Sequence, residues 1–266
     1  MLGLIIVVAA AAVVGYFSFT AWGLGWGITC GILTMLLVWL ILSLLLRRFV
    51  MARQFAIQNI MQEAQNKANR QLEIFYRKRV SDEKAIRREL ESIQFKAIRA
   101  SLAELEGYKK FYIWNAMLPK QVNAMKVQLY YQLREYDKVD ELLPKALLMD
   151  VQSLSIKLAR MYKNNDPQID KFFRRKCWRF RGESGAFIAC VYAWIKLKQE
   201  SVDAALEALN NAKKFSDHQT LLDNIDVLTN GKAKHFNNAG FGDSWYVLAL
   251  EEPKVKKQRQ QVGRPF

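Results

Sequence analysis

Cysteine, histidine and proline are scarce in this chain: three, two and five among 266 residues. Three cysteines, with Cys30 inside an apolar run, cannot form a disulfide framework. Cys177 and Cys190 read instead as small buried hydrophobes in a reducing compartment. His218 and His235 leave little material for a histidine-rich metal site, and no cofactor is expected. Phosphate loops of the form G-x-x-x-x-G-K-[ST], dinucleotide loops of the form G-x-G-x-x-G, C-x-x-C pairs and H-E-x-x-H helices are all missing. Gly182-Glu183-Ser184-Gly185 lacks the spacing of a nucleophile elbow, and His218 beside Asp217 reads as a helix-start pair. These absences point away from an enzyme.

Charge is missing from residues 2–46. Leu2 to about Ala21 and Ile28 to Leu46 are two uncharged runs of about 20 residues, the length that crosses a hydrocarbon core of roughly 30 Å. Gly23, Gly25 and Gly27 with Leu24 predict a turn too short for a domain, so 1–46 reads as a transmembrane helical hairpin. Arg47, Arg48 and Arg53 follow the second run at once, whereas the turn has no Lys or Arg. That bias predicts both chain ends on the cytoplasmic side of a bacterial inner membrane, with Trp22 and Trp26 in the far aromatic belt. A cleaved signal peptide fits poorly, because a basic leader is absent and the first run is too long. Ala11-xxx-Gly15 and Gly27-xxx-Gly31 supply small faces for helix packing in the membrane.

Proline is absent from Phe49 to Leu118, and glycine until Gly107. The composition of 47–118 is that of a long basic helical, coiled-coil-like region. Its predicted buried stripe is Phe49, Ala52, Phe55, Ile60, Ala64, Ala68 and Leu72. A break is expected at Val80-Ser81-Asp82, where Ser81 or Asp82 can cap a new helix. Ile86, Leu90, Ile93, Ala97 and Ala100 then alternate four and three apart, either as a homo-oligomer seam or as packing against the rest of the chain. Arg47, Arg48 and Arg53 lie close enough to an anionic leaflet to touch lipid, and Arg77 to Arg79 are carried too far away.

What is abundant is positive charge: 40 Lys+Arg against 25 Asp+Glu, a net +15. The excess implies acidic partners. The most ordered pattern lies in 119–229, opened by Pro119. Met125 to Asp150 reads as two amphipathic helices around Tyr136, with Tyr130 on the first and Val139, Leu143 and Ala146 on the second. Ala186 to Asp217 repeats it, Trp194, Leu197, Ala205, Leu209 and Ala212 standing for Tyr130, Leu133, Val139, Leu143 and Ala146. A helix pair at Ser153 to about Phe180, starting anew at Asp166-Pro167, fills the space between, and His218 to Leu228 gives a last helix. Pro144 interrupts the second helix of the first unit.

This region resembles the tetratricopeptide-repeat superfamily, whose second helix carries an A-x3-F-x2-A pattern over a period of 34 residues. The resemblance implies an α-solenoid that binds a partner protein on its inner curve. The order of hairpin, basic helix and repeats is also similar to the two-pass repeat proteins of bacterial haem synthesis, a likeness of architecture that carries no activity.

Residues 171–181, KFFRRKCWRFR, interleave cations with aromatics. Helical spacing assigns Phe172, Phe173, Cys177 and Phe180 to a buried stripe and leaves Trp178 for stacking, which disfavours nucleic acid as the ligand. Arg134, Lys163, Arg174, Arg175 and Arg179 are the candidate contacts for an acidic segment of a partner. In the tail, 230–266, Trp245, Tyr246 and the apolar residues to Leu250 are expected to dock, on the repeats' own groove or on a neighbour. The basic end carries Lys254, Lys256, Lys257, Arg259 and Arg264. The expected whole is an all-α membrane scaffold or adaptor. The alternatives are an auxiliary subunit of a transport or secretion complex assembled through the hairpin, and a protein that binds anionic lipid or nucleic acid.

Overall fold

The computed structural model describes residues 2–78 and 82–252. The described residues are helical or irregular, with no strand. Val80, Ser81 and Arg79 lie outside them, as does the basic tail from Pro253 onward with Lys254, Lys256, Lys257, Arg259 and Arg264. The chain divides into two compact units, Met1–Leu147 and Leu148–Phe266. That boundary falls inside the region expected to be one run of repeats, 119–229.

Unit 1 begins with helix α1 (Leu2–Trp22) and helix α2 (Leu24–Arg77). The turn between them is Gly23 alone, at φ 90°, ψ 178°, a conformation that any Cβ would strain. Gly25 and Gly27 belong to α2, so the expected turn shrinks to one residue. α2 runs unbroken for 54 residues, about 80 Å. The apolar run and the basic run are thus one helix, continuous through position 46. Among the described residues only α2 is long and apolar enough to cross a membrane; the apolar part of α1, Ile5–Ala21, is shorter. Side chains such as Ile5, Phe17, Leu33, Leu37 and Trp39 are more than half exposed within the chain.

Helix α3 (Glu83–Glu106) starts where the Asp82 carboxylate accepts hydrogen bonds from the backbone N–H groups of Lys84 and Ala85. It returns along α2, with Arg53 bonded to Glu104 at 2.6 Å and the Tyr108 hydroxyl donating to the Val50 carbonyl at 3.2 Å. The buried side chains along this contact are Ile57, Ala64 and Ala68 on α2, facing Ala97, Ile98 and Leu105. The predicted stripe holds at Ala64 and Ala68 but not at its start: Ala52 and Phe55 are exposed, as is Ala100, Phe49 lies against Phe111, and Arg53 takes the inner face. Small residues, Ala64 and Ala68 on α2 and Ala97 on α3, let the two helices approach closely, and Ile86, Leu90 and Ile93 of the heptad-like pattern are half-buried. The helix ends at Glu106 rather than near Leu118. Gly107–Phe111 is a 3-10 turn and 112–117 is irregular. Helices α4 (Leu118–Gln132) and α5 (Tyr136–Leu142) complete the unit. Pro144 ends α5 in a 3-10 turn, Leu143–Lys145, leaving Ala146 extended and off the helix.

Unit 2 contains α6 (Val151–Lys163), α7 (Ile169–Phe172), α8 (Gly182–Lys198), α9 (Val202–Lys213), α10 (Gln219–Thr229) and α11 (Asp243–Tyr246). Its centre is α8, buried without interruption from Gly185 to Lys196. Ala186, Cys190, Ala193, Ala205, Leu209, Leu221 and Ile225 form one core, in which small residues on α8 admit the leucines of α9 and α10.

One backbone device recurs in the two units. α4, α6, α8 and α10 each end on a residue in the left-handed region: Arg134, Asn165, Glu200 and Gly231. Each of these N–H groups donates to the carbonyl three residues back, and the next N–H donates to the carbonyl five back, at 2.9–3.1 Å throughout. This is the Schellman closure of a helix. The four turns are 31, 35 and 31 residues apart. The middle pair, whose side chains match the pattern least, shares the turn geometry of the others.

Candidate docking surfaces

Asp166-Pro167, expected to start the second helix of the middle pair, lies in the turn before it: α7 begins at Ile169 with Gln168 as N-cap, and the Asp166 carboxylate accepts from the Gln168 N–H. After one turn of α7 the backbone widens into a π-turn at Phe173–Cys177, a local expansion often found at functional positions. Ile169, Phe173 and Cys177 point into the core, while Phe172 and Phe180 are half-buried. Lys171, Arg174, Arg175, Lys176, Arg179 and Arg181 are left exposed within eleven residues. Arg174 reaches Glu207 only at 3.9 Å. Arg181 lies over the Phe215 ring at 3.7 Å and donates to the Trp178 and Phe180 carbonyls; Arg179 lies over Phe180 at 5.3 Å. Arg175 and Lys171 have no carboxylate within ion-pair distance among the described residues. Lys163 is exposed at the end of α6, and Arg134 is exposed in unit 1 as the left-handed residue that closes α4. Trp178, expected to be spare, packs edge-on against Phe173 at 5.8 Å and is half-buried. The basic cluster therefore offers charge without a free stacking aromatic.

Beside this surface lies a partly buried polar cluster. Asp170 accepts from the Tyr192 hydroxyl at 2.9 Å and from Lys196 Nζ at 2.5 Å, and Lys196 also donates to Gln199 at 3.1 Å. Phe173 stacks on the Tyr192 ring with centroids 3.8 Å apart. Burial, then the bond to Asp170, drives the Tyr192 phenol above its ordinary range. Each polar group here has a partner, so the cluster fastens α7 to α8. No group of three or more His, Cys, Asp or Glu able to hold a metal occurs among the described residues.

The apolar stretch near the C-terminus docks within unit 2. Trp245 is 1 % exposed, with its ring 5.7 Å from Trp194, and Leu248 is fully buried. The Glu251 carboxylate receives both indole N–H groups, from Trp194 at 2.6 Å and from Trp245 at 3.2 Å. Trp245 is therefore closed to a partner, a correction to its place among the candidate contacts; Tyr246 is half-buried. An apolar six-residue stretch signals docking, but nothing in it marks Glu251 as the clasp.

In unit 1, Ala11 and Gly15 face Gly27 and Gly31. A Cβ on Gly27 would lie 2.8 Å from the Phe19 Cβ and 3.0 Å from the Gly15 carbonyl, and one on Gly31 3.4 Å from that of Ala11. The small faces are used by the hairpin on itself. Trp26 is exposed; the Trp22 side chain lies outside the described residues. Arg47 and Arg48 are exposed with no acidic partner among the described residues, whereas Arg53 is neutralised by Glu104. Glu106 is held below the usual carboxylate range by hydrogen bonds from Lys109 and Lys126. The segment after α3 folds back over the base of the hairpin: the Trp114 carbonyl lies 3.2 Å from where a Gly3 Cβ would sit, and Phe111 stacks on Phe49 at 5.6 Å. That fold-back was not foreseen; the exposed apolar residues Ile113, Trp114 and Met117 in FYIWNAML are its sequence signal.

Comparison with family models, curated proteins and solved structures returns no significant match.

Proposed function

We propose that this chain is a membrane-anchored scaffold of the tetratricopeptide-like kind, which holds a partner protein through an acidic segment at the cytoplasmic face of a bacterial inner membrane. Supporting the anchor is the length and exposure of the α1–α2 hairpin, with Arg47 and Arg48 directly after its apolar part. On this reading both helices cross the bilayer, and the N-terminus and everything after α2 are cytoplasmic. Supporting the repeat reading is the observation that carries the proposal: four helices closed by the same Schellman turn at intervals of 31 to 35 residues, close to the 34-residue period of the superfamily. The exposed cations Lys163, Arg174, Arg175 and Arg179 supply the complement to an acidic segment, and the protein acts by binding rather than by catalysis.

Binding of a labelled acidic peptide to the full chain in lipid nanodiscs tests this. Affinity should fall as salt rises and drop about tenfold in Arg174→Glu/Arg175→Glu, in line with about 1 kcal/mol or less for each exposed charge. Equal binding of acidic and basic peptides by the wild type and this variant would sink the reading.

A further inference from the structure

The fold-back of residues 111–118 over the hairpin leaves a cavity of about 650 Å³, open on one side. Its floor is the apolar lining of Val7 on α1 and Trp39, Leu42 and Leu45 on α2, and Phe111 and Trp114 of the fold-back complete it. Arg47 stands in its lining, and no Asp or Glu does. Trp39 and Arg47 are eight residues apart on one helix, about 12 Å. Along α2 the lining therefore passes from a largely apolar floor around Trp39 and Leu42 to a cationic mouth at Arg47 over about that distance.

Three occupants compete for such a space. Water alone is a poor match for a mostly apolar lining, in which Ser43, Asn115 and Gln121 are the uncharged polar side chains. An acidic peptide would match Arg47 but not a floor of Trp and Leu in the apolar part of α2. A molecule with an anionic head and a hydrocarbon tail matches both ends at once. We infer that this cavity is a discrete site for one anionic glycerophospholipid, its phosphate at Arg47 and one acyl chain against Val7, Trp39 and Leu42. Neutralisation of Arg53 by Glu104 at 2.6 Å explains why the headgroup is assigned to Arg47 and not to Arg53, about 1.7 turns further along α2. Trp114 and Phe111 then act as an apolar lid held down by the Phe49 stack and by the contact at Gly3. This inference rests on the proposed bilayer location of the hairpin.

The test uses the full chain reconstituted in vesicles of phosphatidylcholine with 20 mole per cent (about one lipid in five) phosphatidylglycerol, extracted in mild detergent and weighed by native mass spectrometry. The expected result is one retained phosphatidylglycerol per chain, in preference to phosphatidylcholine. Retention should fall about fivefold or more in Arg47→Gln, which removes one cation at the headgroup. Leu42→Trp, which fills the floor, should abolish it, while Arg70→Gln on the exposed face of α2 leaves it unchanged. Excess glycerol phosphate should not displace the lipid; displacement would mean an anion site without a tail and overturn the assignment. Equal retention of both lipids, or retention indifferent to Arg47 and Leu42, overturns it as well. Whether the chain stays in the vesicle pellet at alkaline pH is read separately. A chain that leaves the pellet removes the bilayer reading and the site with it, whereas one that stays but shows no lipid preference removes the site alone.

Discussion

Helix α1 and the stretch of α8 from Gly185 to Ile195 carry no charge on any side, yet they live in opposite surroundings. α8 is buried from Gly185 to Lys196, enclosed by α6, α9 and α10 and by the clasped C-terminal stretch. α1 touches α2 along one face of small residues and leaves Ile5, Val8, Val13, Tyr16 and Phe17 uncovered. An all-round apolar helix is stable only with cover on all sides. Unit 2 supplies that cover from its own chain, and unit 1 does not. The comparison separates two requirements behind a shared composition, a protein core in one case and, on the proposed reading, a non-aqueous surround in the other.

A cation placed in each helix should break the comparison most sharply. Val191→Arg puts an unpaired charge into a fully enclosed site and should cost unit 2 more than about 4 kcal/mol. Loss of protease resistance across 150–252 would report it. Leu36→Arg, on the exposed face of α2, should leave that resistance intact. It should instead weaken membrane retention, at about 2.5–3.5 kcal/mol for a charge at mid-span. If Leu36→Arg remained as firmly in the membrane pellet as wild type, the requirement for a non-aqueous surround would be wrong.

The one covered face of the hairpin gives a smaller effect. A leucine at Gly27 must displace backbone, because its Cβ would stand 3.0 Å from the Gly15 carbonyl. Overpacking of this kind costs about 1–3 kcal/mol. Cysteines placed at Ala11 and Gly31 should cross-link readily, and adding Gly27→Leu should reduce the yield several-fold; an unchanged yield would show that the helices do not meet on this face.

Most of the helices could be read from the chain, because their signals are local. The uncharged run to Leu46, the Asp82 cap, Pro119 at the start of α4 and the alternation through Ala205 and Leu209 each act within a turn or two. What could not be read depends on partners distant in sequence. Only the start of the inner face of α2 departs from the pattern, because Arg53 looks like a surface residue until Glu104 arrives 51 positions later. The repeat turns escaped notice for a different reason: three of the four left-handed residues are Arg134, Asn165 and Glu200, and glycine marks only the last. A non-glycine residue in that region costs about 1–2 kcal/mol, so the two hydrogen bonds of each closure must outweigh the strain. The candidate surface was legible as charge but not as geometry. The widened turn at Phe173–Cys177 turns six cations outward and takes Trp178 inward.

Alkaline pH should sharpen the contrast from the side of unit 2. Burial pushes the Cys177 and Cys190 thiols up to about 12, with a bond from Asn224 partly offsetting this at Cys190. Above about pH 9 the unfolded thiols ionise while the folded ones stay protonated, so the unfolded state binds fewer protons and stability falls with rising pH. The loss continues until the folded thiols also titrate, near pH 12, at up to about 1.4 kcal/mol per pH unit for each thiol. Urea midpoints of unit 2 measured from pH 8 to 10.5 should decline, and Cys190→Ala should flatten the decline while lowering the midpoint at pH 8. Tyr192 adds a similar loss above about pH 10. A slope unaffected by Cys190→Ala would place the alkaline sensitivity elsewhere.

The smallest expected effect concerns the clasp that closes the cover over α8. Glu251 holds two indole N–H groups with one carboxylate, and the bonds are charge-assisted. Glu251→Gln keeps one carbonyl acceptor and loses the charge and the second acceptor, a change of about 1–2 kcal/mol local to the stretch 243–252. Because Trp245 and Leu248 bury apolar surface independently of Glu251, the segment should remain docked most of the time, with a modest red shift in tryptophan emission and faster hydrogen exchange confined to 243–252. Trp245→Ala should go further and expose Trp194, since it removes the ring that covers it. If both variants left exchange in 243–252 unchanged, the cover of α8 would not depend on this segment, and the self-sufficiency of unit 2 would rest on α6, α9 and α10 alone.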